Sequence, residues 1–259
     1  MRNAGQSVDK KIMRIPRIYQ SIALAVGQDI PLDAQATVHV AKVLRLREGD
    51  PVVVFNGEGG EYHGILAKLE KRAAVIRLQA YSDADVESPL KIVLAQGVSR
   101  GERMDYTVQK SVELGIHRIV PVVTERTVVN LDAERQDRRV QHWQTVVNSA
   151  CEQSGRNYVP RVEDIVTLPH WLKVLSDEGA ANKFVLNHRA SRGVSGLQID
   201  SQQPIYVLIG PEGGLSDGEV AQAGQAGFVS VRLGLRVLRT ETAALAFVAA
   251  LQAQWGDFV

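Results

Sequence analysis

The spacing of apolar and polar positions changes near residue 90. Before it, three short segments rich in β-branched and aromatic residues predict strands of a small β-rich, barrel-like domain. These segments are Pro51–Phe55, Tyr62–Leu69 and Ala74–Leu78. The dipeptide Asn56-Gly57, after the first of them, predicts a β-hairpin. Upstream, Ala34–Leu46 has the pattern of a helix.

After residue 90, apolar runs of strand length alternate with segments of helix length. The predicted strands are Lys91–Gln96, Arg118–Val123, Val162–Val166, Lys183–Leu186, Ile205–Ile209 and Val229–Leu233. The predicted helices are Met104–Leu114, Asp132–Ser154, Pro169–Glu178, Asp217–Ala226 and Thr240–Trp255. Gly115 and Gly155 stand where glycines end helices. This alternation predicts an α/β domain with a mainly parallel sheet covered on both faces.

The polar, acidic segment 82–89 ends in a proline and is the predicted linker. It divides the chain into a β-rich domain over 13–81 and an α/β domain over 90–259. Residues 1–12 lack any apolar pattern, and we expect a disordered extension there, so that Met13 competes with Met1 as the natural start.

The composition is that of an ordinary globular protein and gives no sign of a membrane or disulfide-rich class. The chain has 259 residues, of which 45% are hydrophobic and 23% charged, as in ordinary globular proteins. The net charge is +1, but residues 1–81 hold 12 Lys and Arg against 8 Asp and Glu, which weakly favours an anionic partner for that part. The single cysteine, Cys151, fits a reducing compartment and predicts a cytoplasmic protein. No apolar run approaches the length of a membrane span, so no membrane partner is expected.

Two glycine-containing loops each lie between a predicted strand and a predicted helix. The first is Ile209-Gly210-Pro211-Glu212-Gly213-Gly214-Leu215-Ser216, and Ser216 and Glu219 have the spacing of a capping box. The second runs from Leu233 to Ala243. Glycine turns after parallel strands let the backbone approach a ligand closely, so the two loops predict one composite pocket. Neither loop matches a common nucleotide-binding fingerprint.

One motif supports a competing enzyme class. Gly97-Val98-Ser99-Arg100-Gly101 matches the Gly-x-Ser-x-Gly elbow of α/β-hydrolases and predicts an esterase that uses Ser99. Against it, the last histidine is His188, no oxyanion motif precedes the serine, and the strand before it is the first of its domain, which we expect to be peripheral. The six histidines and Cys151 show no ligand spacing, so no metal site is predicted.

The two loops and several other segments together resemble the bacterial 16S ribosomal RNA uracil-N3 methyltransferases of the SPOUT superfamily. The other segments are Arg14–Tyr19, Ser99–Asp105, Gln109–Gly115, Thr124–Arg126 and Cys151–Asn157. Leu235 stands where this family usually has a proline, which bears on the rigidity of the second loop.

The resemblance implies a SPOUT-type α/β domain with a trefoil knot, built from Val207–Gly214 and Leu233–Ala243, and a PUA-like RNA-binding barrel before it. It implies a homodimer that binds S-adenosyl-L-methionine and acts on ribosomal RNA or the small ribosomal subunit. By the same resemblance, the cofactor contacts are Leu186, Asn187, His188, Ile209, Gly210, Pro211, Glu212, Gly213, Leu233, Gly234, Leu235, Val237, Leu238 and Thr240.

Methylation at uracil N3 requires a group that accepts the N3 proton and positive charge near O2 or O4. We expect Glu241 or Glu212 to take the proton and Arg239 or Arg236 to supply the charge. The expected RNA phosphate contacts are Arg14, Arg17, Arg45, Arg47, Arg100 and Arg103. The non-enzyme alternative is a catalytically inactive RNA-binding protein, which would have lost the loop residues, whereas here both loops are intact apart from Leu235.

Overall fold

The computed structural model describes residues 15–71, 73–128, 133–176 and 179–258. The chain forms two compact units, Met1–Asp85 and Val86–Val259, and the division falls inside the segment 82–89. The extension expected over 1–12, and Arg14, lie outside the described residues.

The first unit is built on a five-stranded sheet. Its strands are β1 (Arg17–Tyr19), β2 (Asp29–Leu32), β3 (Pro51–Phe55), β4 (Glu61–Leu69) and β5 (Ala74–Ser82), in the order β1-β3-β4-β5-β2. β1 pairs in parallel with β3, and the other pairings are antiparallel. Alternate apolar side chains, among them Ile30, Val54 and Leu66, form the core. This half-barrel confirms the predicted β-rich domain.

The hairpin signal at Asn56-Gly57 is confirmed, because β3 and β4 pair antiparallel across a five-residue loop, 56–60, in which Asn56 Oδ1 accepts a hydrogen bond from the Glu58 amide at 3.2 Å. One local prediction in this unit is wrong in detail. The predicted helix Ala34–Leu46 is a short helix, α1 (Ala34–Val38), followed by a π-helical turn, His39–Val43. Three valines at 38, 40 and 43 restrict the side-chain rotamers of a regular helix here.

The second unit contains a parallel sheet. Its strands are β6 (Ile92–Gly97), β7 (Arg118–Val123), β8 (Arg161–Val162), β9 (Val166–Thr167), β10 (Asn182–Leu186), β11 (Ile205–Ile209) and β12 (Val229–Val231). They run in the order β12-β10-β11-β6-β7-β8, with β9 also paired to β7, and every pairing is parallel. This confirms the predicted α/β class.

Two expectations about this sheet are corrected. β6 is the first strand of the unit but lies in the middle of the sheet, because β11 returns to pair with its free edge. The single strand predicted over Val162–Val166 is two short strands, β8 and β9, separated at 163–165. Glu163 lies between them, where its carboxylate pairs with Arg118 and Arg161.

Helices cover both faces of this sheet, as predicted. They are α2 (Glu102–Glu113), α3 (Ala133–Ser154), α4 (Leu168–Ser176), α5 (Asp217–Gln225) and α6 (Thr240–Trp255). Trp171 of α4 packs in a buried cluster with Tyr206 and Phe228, while Phe247 of α6 contacts Phe184 with ring centroids 5.8 Å apart. Gly115 and Gly155 follow α2 and α3 with φ of 82° and 90°, which confirms them as helix-ending glycines.

A buried ion pair fastens the first residues of this unit. Arg156 is buried, pairs with Glu87, and donates at 2.9 Å to the carbonyls of Val112 and Ile116 near the end of α2. Arg156 belongs to one of the sequence segments that carried the family resemblance. Its contacts give that segment a structural role.

Candidate active site

Three loops meet at the carboxyl ends of neighbouring parallel strands. They follow β10, β11 and β12, which lie side by side, and ligands of α/β sheets bind at such ends. The loops enclose a cavity of about 390 Å³. The predicted composite pocket is thereby confirmed.

The cavity collects nearly all the residues that the sequence singled out for the cofactor. Those that line it are Leu186, Asn187, His188, Ile209, Gly210, Pro211, Glu212, Gly213, Leu233, Gly234, Val237, Leu238 and Thr240. Leu235 is 87% exposed and does not line it. Arg236, Arg239 and Glu241 line it as well, so all four candidate catalytic residues surround one space.

The loop after β11 is held in a tight turn. A Cβ at Gly210 would lie 2.8 Å from backbone atoms of Gly214 and Leu215, so the turn requires glycine. The predicted capping box is confirmed, since Ser216 Oγ accepts from the Glu219 amide at 3.1 Å and Glu219 Oε2 accepts from the Ser216 amide at 2.8 Å.

Two further contacts tie this loop to the turn after β7. Glu219 is buried, and its other oxygen, Oε1, accepts from the Glu125 amide at 2.8 Å. Arg126 Nη1 donates to the Gly213 carbonyl at 2.9 Å. These contacts give the segment Thr124–Arg126 a structural role beside the glycine loop.

The loop after β12 is joined to the loop after β11 by a buried threonine. Thr240 Oγ1 donates to the Gly210 carbonyl at 2.6 Å and accepts from Gln96 Nε2 at 2.8 Å. Because all three groups are buried, this chain of hydrogen bonds fixes the two sides of the cavity relative to each other.

Glu212 is already engaged by arginines. Its Oε1 accepts from the Arg100 amide at 3.0 Å and from Arg103 Nη1 at 3.1 Å. Partial burial raises the pKa of Glu212, but the hydrogen bonds from Arg100, Arg103 and its own amide outweigh this effect and hold the pKa below its ordinary value of 4.5. A carboxylate in that state holds charge well and accepts a proton poorly.

Glu241 differs from Glu212 in its hydrogen bonding. Its Oε2 is buried and has no hydrogen-bond partner among the described residues. A buried acceptor without a donor is rare in native proteins and marks a position where a ligand or water completes the bonding. The two carboxylates that the sequence left as alternatives therefore differ in their partners: Glu212 accepts hydrogen bonds from Arg100 and Arg103, whereas Glu241 Oε2 has no donor among the described residues.

The two candidate cations, Arg236 and Arg239, are exposed and line the cavity. Neither has a carboxylate partner within the ranges that the structure describes. Their charge is therefore available to an anionic group at this site.

One of the expected RNA contacts has a different role. The Arg17 guanidinium is nearly buried, pairs with Glu61, and lies 4.8 Å from the centre of the Phe55 ring. Because these contacts engage its guanidinium within its own sheet, Arg17 is not available to an RNA phosphate, and this expectation is corrected. Arg45, Arg47, Arg100 and Arg103 are exposed.

Ser99 does not have the geometry of a hydrolase nucleophile. It is 1% exposed, and its hydroxyl donates to the Gly97 carbonyl at 3.2 Å. The elbow motif needs an exposed hydroxyl beside a histidine, so the esterase alternative is contradicted. Among the described residues, no cluster of three His, Cys, Asp or Glu side chains could hold a metal ion. Within the same residues, no helix has the length and apolar character needed to span a membrane.

Sequence reasoning missed several residues that line the cavity. Arg126 comes from the turn after β7, while Arg189 and Arg232 lie directly beside segments that the sequence singled out. Arg126 belongs to the segment Thr124–Arg126 that supported the family resemblance, so the sequence did contain a signal for it. Arg189 and Arg232 lie one residue outside the predicted cofactor segments, and no turn or glycine in the sequence marks where those loops begin and end.

Comparison with known proteins identifies both units. The model of the RNA methyltransferase domain matches residues 86–252, and that of the RNA methyltransferase PUA domain matches residues 32–79. Ribosomal RNA small subunit methyltransferase E of Buchnera aphidicola subsp. Schizaphis graminum is 33% identical over 244 residues, covering 94% of this chain and 98% of that protein. Its Bacillus subtilis counterpart is 31% identical, covering 83% and 86%.

Solved structures agree with these matches. Ribosomal RNA small subunit methyltransferase E from Neisseria gonorrhoeae, bound to S-adenosyl methionine, is 40% identical with a TM-score of 0.87, covering 95% of this chain and 100% of that one. The Legionella pneumophila protein Lpg2936, in complex with the same cofactor, is 37% identical with a TM-score of 0.90 and the same coverage. The resemblance drawn from the loops is thus confirmed, and the chain belongs to the ribosomal RNA small subunit methyltransferase E family, with a SPOUT-type α/β domain and a PUA-like domain.

Proposed function

We propose that this protein transfers a methyl group from S-adenosyl-L-methionine to N3 of a uridine in small-subunit ribosomal RNA. Its family supports an enzyme that methylates ribosomal RNA. The observation that carries the assignment to N3 concerns Glu241, a residue that lines the cavity: its buried Oε2 has no hydrogen-bond partner among the residues that the structure describes. The N3–H of uracil is the donor that this oxygen lacks.

The cavity fits the cofactor in size and construction. At about 390 Å³ it lies within the range of small-molecule sites, and its walls are three loops rich in backbone hydrogen-bonding groups and apolar side chains. Gly210 and its neighbours would hold the cofactor on one side and Leu238 on the other. When bound, the cofactor supplies a methyl group already activated on a sulfonium, so no metal or covalent nucleophile is required.

The residues of the chain then have two tasks. Glu241 accepts the N3 proton as the base becomes a nucleophile. Arg239, with Arg236, stabilises the negative charge that spreads to O2 and O4. Since N3 lies on the pairing edge, the target uridine must be unpaired or extruded before it reaches these groups.

RNA beyond the target base needs phosphate contacts. We assign these to Arg45 and Arg47 of the first unit and to Arg100 and Arg103 of the second, all exposed. A ribosomal substrate implies action in the cytoplasm.

We also propose that the protein works as a homodimer. One face of α6 is buried, and the rest carries partly exposed small apolar residues such as Ala243 and Ala250. A second copy would cover this surface. Analytical ultracentrifugation at micromolar protein concentration tests the oligomeric state, and a monomer at that concentration would contradict the proposed homodimer.

Mapping the product tests the central proposal. Small subunits from a strain that lacks this protein are incubated with the enzyme and labelled cofactor, and the modified nucleoside is identified by mass spectrometry. We expect N3-methyluridine at one position. The variants Arg236→Ala, Arg239→Ala and Glu241→Ala should all transfer the methyl group more slowly, while their affinity for the cofactor stays at the wild-type value. A different methylated atom overturns the N3 assignment, and cofactor binding without any transfer favours the inactive RNA-binding alternative.

A further inference from the structure

A second cleft opens beside the cofactor cavity. It has a volume of about 620 Å³ and lies between α2, α3 and the start of α6. It shares three side chains with the cofactor cavity, namely Arg103, Arg239 and Glu241. Two of the four candidate catalytic residues, Arg239 and Glu241, therefore lie on the boundary between the cofactor cavity and the cleft.

We propose that this cleft receives the extruded uracil ring, with Tyr106 as its stacking partner and Gln109 as a further hydrogen-bonding group. The inference rests on the proposed function, because it names the binding site of the acceptor base for that reaction. A transfer enzyme needs two adjoining sites that meet at the reacting atoms, and the shared wall provides that meeting point.

Tyr106 has the placement of a stacking platform. It is 49% exposed on α2 and lines the cleft together with the apolar Val146 of α3. No hydrogen bond engages its hydroxyl within the described ranges. An aromatic ring that is half exposed beside an apolar side chain is the kind of surface on which extruded bases stack.

The polar groups of the cleft complement uracil. Uracil presents one donor, N3–H, between two carbonyl acceptors. Glu241 supplies a lone acceptor, while Arg239 and the amide of Gln109 supply donors, and the Gln109 side chain has no hydrogen bond to any described residue. Cytosine offers a lone pair at N3, which would face the Glu241 carboxylate without a proton between them, so the arrangement selects uracil.

Asp105, which also lines the cleft, already has hydrogen-bond partners on α3. Asp105 Oδ1 accepts from Trp143 Nε1 at 3.1 Å, and Asp105 Oδ2 lies 2.9 Å from His142 Nε2. These bonds join α2 to α3 and so fix Tyr106 relative to Val146. Asp105 therefore shapes the cleft. Of the other two carboxylates that line it, Glu102 is exposed, whereas Glu241 has the buried oxygen without a partner among the described residues, and we assign Glu241 as the proton acceptor.

The first test compares Tyr106→Ala with Tyr106→Phe in the full-length protein. The matched control is Tyr158→Ala, because Tyr158 is 46% exposed and lies outside both cavities. Loss of the stacking ring should raise KM for unmodified small subunits about tenfold or more, while Tyr106→Phe and the control stay near the wild type. The affinity for S-adenosyl-L-methionine should not change in any of the three, since Tyr106 does not line the cofactor cavity.

A second measurement does not depend on how the variants fold. RNA carrying 4-thiouridine at the target position is irradiated with the wild-type protein, and the crosslinked peptide is sequenced. A crosslink within 102–109 or at 239–242 supports the site, and a crosslink elsewhere in the chain overturns it.

The outcomes separate the two proposals. If the wild type makes N3-methyluridine while Tyr106→Ala keeps the KM of Tyr158→Ala, the acceptor site is wrong and the proposed function stands. If the wild type methylates no uridine, the proposed function fails and the acceptor site fails with it.

Discussion

The hydroxyl of Thr240 donates a 2.6 Å hydrogen bond to the carbonyl of Gly210, across 30 positions of sequence. Thr240 begins α6, and Gly210 directly follows β11 at the start of the glycine loop. This bond joins the loop after β11 to the loop after β12. It also places Glu241, the next residue along the helix, at the boundary between the cofactor cavity and the second cleft.

Replacing Thr240 by valine should remove the hydrogen bonds that hold the two loops together while keeping a side chain of nearly the same volume. The buried Gly210 carbonyl and Gln96 amide would both be left without this partner, and one unsatisfied buried group costs about 1–3 kcal/mol. We expect a lower free energy of unfolding in urea and about tenfold weaker cofactor binding by calorimetry. Thr240→Ser restores the hydroxyl and serves as the control. Equal cofactor affinity in the valine and serine variants would show that the bond does not organise the cavity.

Glu241→Gln and Glu212→Gln should fail in different ways. Removing the proton acceptor should lower kcat by about a hundredfold or more, with cofactor affinity unchanged. Glu212→Gln should mainly weaken cofactor binding, because its carboxylate holds the glycine loop to Arg100 and Arg103. Single-turnover methyl transfer at saturating cofactor separates the two effects. The reverse pattern would make Glu212 the base.

The lowered pKa of Glu212 predicts a pH dependence. The unfolded chain binds a proton at Glu212 more readily than the folded protein, so its contribution to stability is present above the ordinary pKa of 4.5 and is lost as pH falls below that value through the lower folded pKa. The Tm difference between the wild type and Glu212→Gln should therefore be constant from about pH 7 to 5.5 and shrink below about pH 4.5. A difference that widens in acid would contradict this assignment.

Arg156→Met should destabilise the second unit strongly. Breaking a buried ion pair by removing one partner costs about 3–5 kcal/mol, and here it also frees the Val112 and Ile116 carbonyls. Arg161→Met is the matched control, because Arg161 is exposed and its pairing with Glu163 is worth about 0–1 kcal/mol. Urea unfolding of both variants gives the comparison. Similar decreases in the two would mean that Arg156 contributes little.

RNA binding should depend on the exposed, unpaired side chains of Arg45 and Arg47 in the part of the first unit that the structure describes. Removing Arg45 and Arg47 should reduce the slope of log affinity against log salt by about 0.7 for each phosphate that is no longer neutralised. Arg77→Gln is the control, since Arg77 is also exposed but pairs with Asp29 at 2.8 Å. Filter binding of the ribosomal RNA at several salt concentrations measures the slopes. An unchanged slope would assign Arg45 and Arg47 to ordinary surface.

Much of the second unit could be predicted from short-range pattern. The capping box of Ser216 and Glu219 spans one helical turn, and Gly115 and Gly155 act on the turn that precedes them. Such features depend on neighbours along the chain, and the sequence displays those directly. For the same reason the glycine loops after β11 and β12 are recognisable as sites of close backbone approach.

Short-range sequence pattern does not show which residues far apart in the chain come into contact. Glu212 meets Arg100 and Arg103, which lie 112 and 109 positions away, and those bonds separate it from Glu241 as a proton acceptor. Arg17 similarly meets Glu61 in the core of its sheet and Ser99 is buried, although both belong to segments that suggested function.

The sequence by itself determined the kinds of element, their order along the chain, and which loops carry glycine turns. Only the tertiary structure decided that β6 is central, that the loops after β10, β11 and β12 meet in one cavity, and which of the two candidate carboxylates is left without a donor among the described residues. The physical reason is that periodicity records which face of an element is buried, whereas the partner against which that face packs is chosen by the free energy of the whole fold.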